Sequence, residues 1–137
     1  MNLVTPPNII DCNGSSDKLG TKKGMVIASL NINSLLPHVD EIEYLLKSRG
    51  IDFLALNETK IDDKLPDNLF KIDGYKFIRF DRTRHGGGVA VYCRDCFKSK
   101  VREDIPKTTL EMIGVEITPL RAAPFIIRAF NKTVHAG

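Results

Sequence analysis

The sequence predicts an α/β fold: a mixed sheet that opens with a strand–helix–strand unit and continues into an antiparallel hairpin. Three observations predict it. The stretches MVIASLNI and IDFLALNE are apolar for most of their length and leave little room for a solvated face, as in strands at the centre of a sheet. Between them, Val39, Ile42, Leu45 and Leu46 recur at helical spacing. Further on, two apolar runs flank DRTRHGGG, a connection that suits a hairpin with an extended tip.

The 137 residues suit one domain. With 42% hydrophobic and 27% charged residues, the composition is that of a soluble globular protein. A net charge of +3 is too small by itself to indicate a nucleic-acid partner. The three cysteines, Cys12, Cys93 and Cys96, give no even disulfide framework, so a reducing compartment is the default. This points to an intracellular location, the nucleus among the candidates. No apolar run reaches transmembrane length, so no membrane partner is expected. The first ten residues lack the charged start and long apolar core of a signal peptide. Asn131-Lys132-Thr133 is therefore a coincidental match to the glycosylation sequon.

In chain order, residues 1–23 carry Pro6, Pro7, Gly14, Gly20 and a polar majority, and are expected to be a disordered leader. The first strand spans 25–32. The helix follows, with Pro37 in its first turn, Asp40 and Glu41 early, Lys47 and Arg49 late, and Gly50 to end it. The second strand spans 51–56. A strand–helix–strand of this length is a right-handed crossover between adjacent parallel strands. Residues 61–74 form a loop with a turn of helix at 67–70. Strands three and four, at 75–80 and 89–93, form the hairpin. Residues 94–103 read as a charged connection, 110–117 as a fifth strand and 125–130 as a sixth. The folded domain is expected over 24–130, with a tail at 131–137.

Asn31 ends the first strand and Glu58 follows the second. A parallel unit places both on one sheet edge, where ligands of open α/β sheets bind. An amide oxygen and a carboxylate there suit a hard cation such as Mg²⁺. The plain alternative is a polar strand end beside a loop charge. A basic run, Arg79, Arg82, Arg84, His85 and Arg94 with Lys98, Lys100 and Arg102 beyond, suits contact with a DNA backbone. A solvated face explains it equally well. Cys93 and Cys96 have no second pair of ligands for a zinc site. Cys93, at the end of an apolar strand, reads as core. His85, alone beside three glycines, reads as a loop-tip residue, and no organic cofactor site is evident.

SLNINSL, FLALNETK and RHGGGVAVYCRD, in this order and spacing, resemble the endonuclease/exonuclease/phosphatase superfamily. Within it they are most similar to the apurinic-endonuclease-like domain of non-LTR retrotransposons. The resemblance covers about residues 24–130. It implies a four-layer α/β sandwich of two facing mixed sheets and Mg²⁺-dependent cleavage of phosphate esters. It assigns Asn31 to the asparagine near the metal, Glu58 to the metal-binding glutamate and Asn33 to a polar position beside them. The sequence departs from the pattern at Phe130, where members often carry a tyrosine, and phenylalanine has no hydroxyl for a phosphate. The later Asp-x-Asn and Ser-Asp-His motifs would lie beyond Gly137. The resemblance thus implies the first half of the domain: a truncated endonuclease, inactive alone, with Mg²⁺ bound weakly or not at all. Its rivals are a non-catalytic nucleic-acid-binding remnant and a non-functional retroelement fragment. With the second sheet mostly missing, an apolar face is expected to stand exposed. The oligomeric state is left open.

Overall fold

The structure, a computed structural model, describes residues 2–4, 24–103 and 111–131. In chain order the strands are β1 (Asn2–Val4), β2 (Ile27–Asn31), β3 (Phe53–Asn57), β4 (Tyr75–Phe80), β5 (Val89–Arg94), β6 (Lys98–Val101), β7 (Glu111–Thr118) and β8 (Phe125–Asn131). The helix α1 (Val39–Ser48) joins β2 to β3. Five strands form one mixed sheet in the order β1-β2-β3-β5-β4, and three form an antiparallel sheet in the order β6-β7-β8. The fold is a partial α/β sandwich.

The opening unit forms as the sequence predicts. β2 and β3 are parallel neighbours, with Ile27 opposite Phe53 and Asn31 opposite Asn57. Pro37 lies in a 3-10 turn, Leu36–His38, that leads into α1, where its missing N–H costs nothing. Asp40 and Glu41 occupy the first turn of α1 and Lys47 the last, each favoured by the helix dipole. Gly50, at φ +59°, takes the left-handed turn that returns the chain to the sheet. A second 3-10 turn, Asp67–Phe70, sits where the loop was expected to coil.

Alternation sorts the core into two layers. Leu54, Leu56 and Tyr92 face α1 and pack with Ile42, Leu46, Phe70 and Ile72. Phe53, Val89, Val91 and Cys93 face the other way and pack with Ile113, Val115, Ile117 and Ala129 of the second sheet. β5 is buried on both faces, which explains its unbroken apolar run. Each fully buried large side chain in these layers contributes roughly 1.5–3 kcal/mol.

Four expectations are corrected. The leader is not uniformly disordered: Asn2–Val4 pairs antiparallel with residues 27–29, supplying partners for the outer edge of β2, while 5–23 lie outside the described residues. The charged connection contains β6, whose partner β7 selects it: Ser99 lies opposite Ile117, and the buried Phe97 anchors its start. The inner apolar face of the first sheet is not left bare, because β7 and β8 of the second sheet cover β3 and β5. Finally, Asn131 belongs to β8 and is buried, not part of a tail; residues 132–137 lie outside the description. No helix among the described residues is long and apolar enough to cross a membrane.

Candidate functional site

Three chain segments meet where β2 and β3 end and β5 begins. Ile32 N donates to Asn57 O at 3.1 Å, Ser34 N to Glu58 O at 2.8 Å and Leu35 N to Thr59 O at 2.9 Å. On the other side, Lys60 N donates to Gly87 O at 3.0 Å and Thr59 N to Gly88 O at 3.4 Å. The backbone here is strained. Asn33, Ser34, Glu58 and Lys60, at φ between 48° and 91°, are the positive-φ non-glycine residues of the described chain. Each such residue costs on the order of 1–3 kcal/mol, and such strain gathers at functional sites. Gly87 and Gly88, at φ 76° and 93°, need the freedom of glycine. A Cβ on Gly88 would also run into Thr59 Oγ1.

Several side chains bond to these turns. Glu58 is half-buried, and its Oε2 accepts from Gly87 N at 2.6 Å. Asn31 is exposed, and its Oδ1 accepts from Asn33 N at 3.1 Å. Lys60 Nζ donates to Asn33 Oδ1 at 2.5 Å. The next amide, Gly88 N, donates to Glu111 Oε1 at 3.0 Å, which also accepts from Asn131 Nδ2 at 2.6 Å. Asn57 Oδ1 and Thr59 Oγ1 are buried without a hydrogen-bond partner. Beside Asn57, a cavity of about 230 Å³ is lined by Ser29, Ala55, Arg128 and Phe130.

Among the described residues, no group of three or more His, Cys, Asp and Glu is placed to hold a metal. Mg²⁺ needs no such group: it keeps several waters and binds through one or two carboxylates and substrate phosphates. Glu58 gives Oε2 to Gly87 and so turns a fixed carboxylate toward the turn cluster, with the Asn31 amide on the neighbouring strand end. A carboxylate and an amide oxygen are donor types that a hydrated Mg²⁺ takes.

The basic run divides. Arg79 is held inside, donating to Asp81, Asp67 and the carbonyls of Leu65 and Asp62 at 2.6–3.1 Å. Arg94 pairs with Asp52 at 2.8 Å and covers the Tyr75 ring. It also lies at the far end of β5, roughly 17 Å from Val89 at strand spacing. Arg82 and His85 are exposed at the hairpin tip, and the half-exposed Arg84 reaches Asp62 at 2.9 Å. His38 donates from Nδ1 to Ser34 O at 2.7 Å. Cys93 is free and buried, whereas Cys96 is disulfide-bonded, so the two form neither a zinc knuckle nor a redox pair with each other. The cysteine arithmetic gave no hint of that bond.

Sequence reasoning passed over Glu111, Lys60 and Asn131. Glu111 opens an apolar run with no motif around it, and only the facing of the two sheets brings it to Gly88. The three glycines were the available signal, since such a run implies a close neighbour.

The profile of the Endonuclease/Exonuclease/phosphatase family matches residues 28–130. The chain belongs to this family. No curated protein matches it significantly. Among solved structures, it is similar to AP endonuclease LMAP from Leishmania major, at 13% identity and a TM-score of 0.56, covering 78% of this chain and 39% of that one. It is similar to the 3' phosphatase NExo from Neisseria, bound to a product DNA hairpin, at 23% identity and a TM-score of 0.52, covering 75% and 40%. The human Nocturnin catalytic domain with bound sulfate gives 16% identity and a TM-score of 0.52, covering 79% and 49%. The chain thus spans less than half of each of these structures. At such identities they share its fold. The family match takes in Asn31, Glu58 and the glycine run, so the strained turn cluster lies within the endonuclease/exonuclease/phosphatase region of the chain.

Proposed function

We propose that this chain carries the cation-binding half of a DNA-directed endonuclease site and does not turn over by itself. Glu58 holds Mg²⁺, with the Asn31 amide and water completing its shell, and Arg82, Arg84 and His85 at the hairpin tip meet DNA phosphates. The observation that carries this reading is the meeting of two strained turns and a glycine turn around one carboxylate fixed by a backbone amide. Positive-φ residues other than glycine cost stability, and such strain gathers at functional sites. A bound Mg²⁺ would neutralise charge on a phosphate ester and its leaving oxygen. Lys60, beside Asn33, adds a cation on the same edge.

Hydrolysis also needs a group that orients or deprotonates water. Among the described residues, His38 is committed to a backbone carbonyl and His85 sits on the exposed tip, with no hydrogen-bonded carboxylate orienting either. Phe130 stands half-exposed beside Asn57 without a hydroxyl to offer. The second reading, DNA binding without turnover, is favoured by the exposed tip and shares the same cation.

The test has two arms. In a Mn²⁺ or Mg²⁺ titration, Glu58→Gln is expected to weaken binding at least about tenfold while the fold is kept. In the second arm, pure protein and Mg²⁺ are incubated with abasic-site DNA beside the Glu58→Gln control. Unchanged metal affinity in the variant would place the cation elsewhere. Cleavage that the wild type shows and the variant loses would overturn the proposed lack of turnover.

A further inference from the structure

We infer that Glu111 is a positioning residue: it sets the Glu58 carboxylate by holding the glycine backbone that Glu58 binds. The inference rests on Glu58 being the cation ligand proposed above, and the experiment separates the two.

Glu111 is a buried carboxylate at the first position of β7, and burying such a group is costly unless it is hydrogen-bonded. Its Oε1 accepts from two donors, one in its own sheet and one in the turn before β5. Asn131 Nδ2, on the register partner in β8, donates at 2.6 Å, and Gly88 N, at the mouth of β5, donates at 3.0 Å. Asn131 is itself buried, so Glu111 is braced from within its own sheet. The carboxylate is therefore a strut from the second sheet to the glycine run.

What the strut holds is the neighbour of the Glu58 contact. Gly87 N and Gly88 N are consecutive amides, one on Glu58 Oε2 at 2.6 Å and the other on Glu111 Oε1. Both glycines are left-handed and carry no side chain that could pack them in place. Their carbonyls are tied to Lys60 N and Thr59 N on the Glu58 side. Glu111 fixes the Gly88 amide from the opposite side. Removing it leaves a buried N–H without a partner and frees the peptide that orients Glu58. Asn131 serves as the brace, which agrees with its side chain being buried and unsuited to glycosylation.

The experiment compares wild type, Glu111→Ala, Glu111→Gln and Asn131→Ala by amide hydrogen exchange and Mn²⁺ titration. Glu111→Ala is expected to speed exchange at both Gly87 and Gly88 by about tenfold or more, with the Leu56 and Val91 amides unchanged, and to weaken Mn²⁺ binding about tenfold. Glu111→Gln keeps a carbonyl acceptor and is expected to restore both readouts to within about threefold of wild type. Asn131→Ala is expected to shift both in the same direction by less, and decides the matter if Glu111→Ala does not fold. A response confined to Gly88, with Gly87 exchange and metal affinity unmoved, would reduce Glu111 to a local cap and overturn the inference, as would failure of Glu111→Gln to rescue. If folded wild type binds no Mn²⁺, the proposed function falls, and Gly87 exchange alone then decides this inference.

Discussion

Gly88 has no room for a side chain and sits at a φ of 93°, while Gly50 has an equally unusual φ of 59° with open space around it. The pair separates backbone strain from collision. Gly50→Ala is expected to cost about 1 kcal/mol, the strain of a left-handed alanine. Gly88→Ala adds the collision with Thr59 Oγ1, in a place locked between Thr59 and Glu111, and is expected to cost about 2–4 kcal/mol. Urea midpoints of both variants check this. Equal losses would mean that the turn cluster yields more easily than its hydrogen bonds imply. The same locking makes the half-buried Glu58 a more specific candidate than its spacing from Asn31 alone conveyed.

At the scale of elements, the hairpin of β4 and β5 carries basic residues with two different jobs. Arg79 knits the loop at residues 62–67 to β4, and Arg94 closes the end of the sheet opposite the turns. Arg82 and Arg84 are left facing solvent at the tip. If the tip meets DNA, Arg82→Ala and Arg84→Ala should each lower affinity across all sequences alike. Each should also reduce the slope of log affinity against log salt by about 0.9. Fluorescence anisotropy over a range of salt concentrations measures both. An unchanged slope in both variants would return the tip to the status of a solvated face. β8 is the other element with a consequence, because it is the outer strand of its sheet and exposes Ile126 and Phe130. Edge strands of this kind template association, and a lysine on them opposes it. Sedimentation should therefore show concentration-dependent self-association that Phe130→Lys reduces.

At the scale of the whole molecule, the two-layer core predicts how stability depends on pH. Burial between the sheets pushes the Cys93 thiol from 9.0 up to about 11, and burial likewise pushes the Tyr75 and Tyr92 hydroxyls upward. A group with a raised pKa in the folded state stabilises fully below its unfolded value, and that stabilisation is lost as pH rises through the folded value. Stability should therefore hold to about pH 9 and fall between pH 9 and 11, the Cys93 share being on the order of 3 kcal/mol. Urea midpoints at pH 8, 10 and 11 test the window, and Cys93→Ala should flatten part of the fall. A flat profile would mean that the Cys93 face is wetter than its complete burial indicates.

The sequence by itself determined the opening unit. Val39, Ile42, Leu45 and Leu46 bear only on a helix, the flanking runs only on buried strands, and chirality then makes those strands parallel neighbours. Asn31 and Glu58 follow as a pair on one edge, because strand ends are local facts carried by local pattern. The hairpin was legible for the same reason: three glycines between two apolar runs permit little else. The tertiary structure alone decided which residues hold that edge in shape. Glu111 and Gly88 are 23 positions apart, one opening β7 and the other just before β5 of the first sheet, and nothing near Glu111 marks it. Likewise Arg79 and Arg82 look alike in sequence, but only the packing of the 62–67 loop turns one into a half-buried tie and leaves the other in solvent. β6 became a strand because β7 lay beside it, and Asn2–Val4 because β2 had an open edge. Pairing between distant segments is paid for by contacts that a local pattern does not contain, so such elements become visible only once the sheets have met.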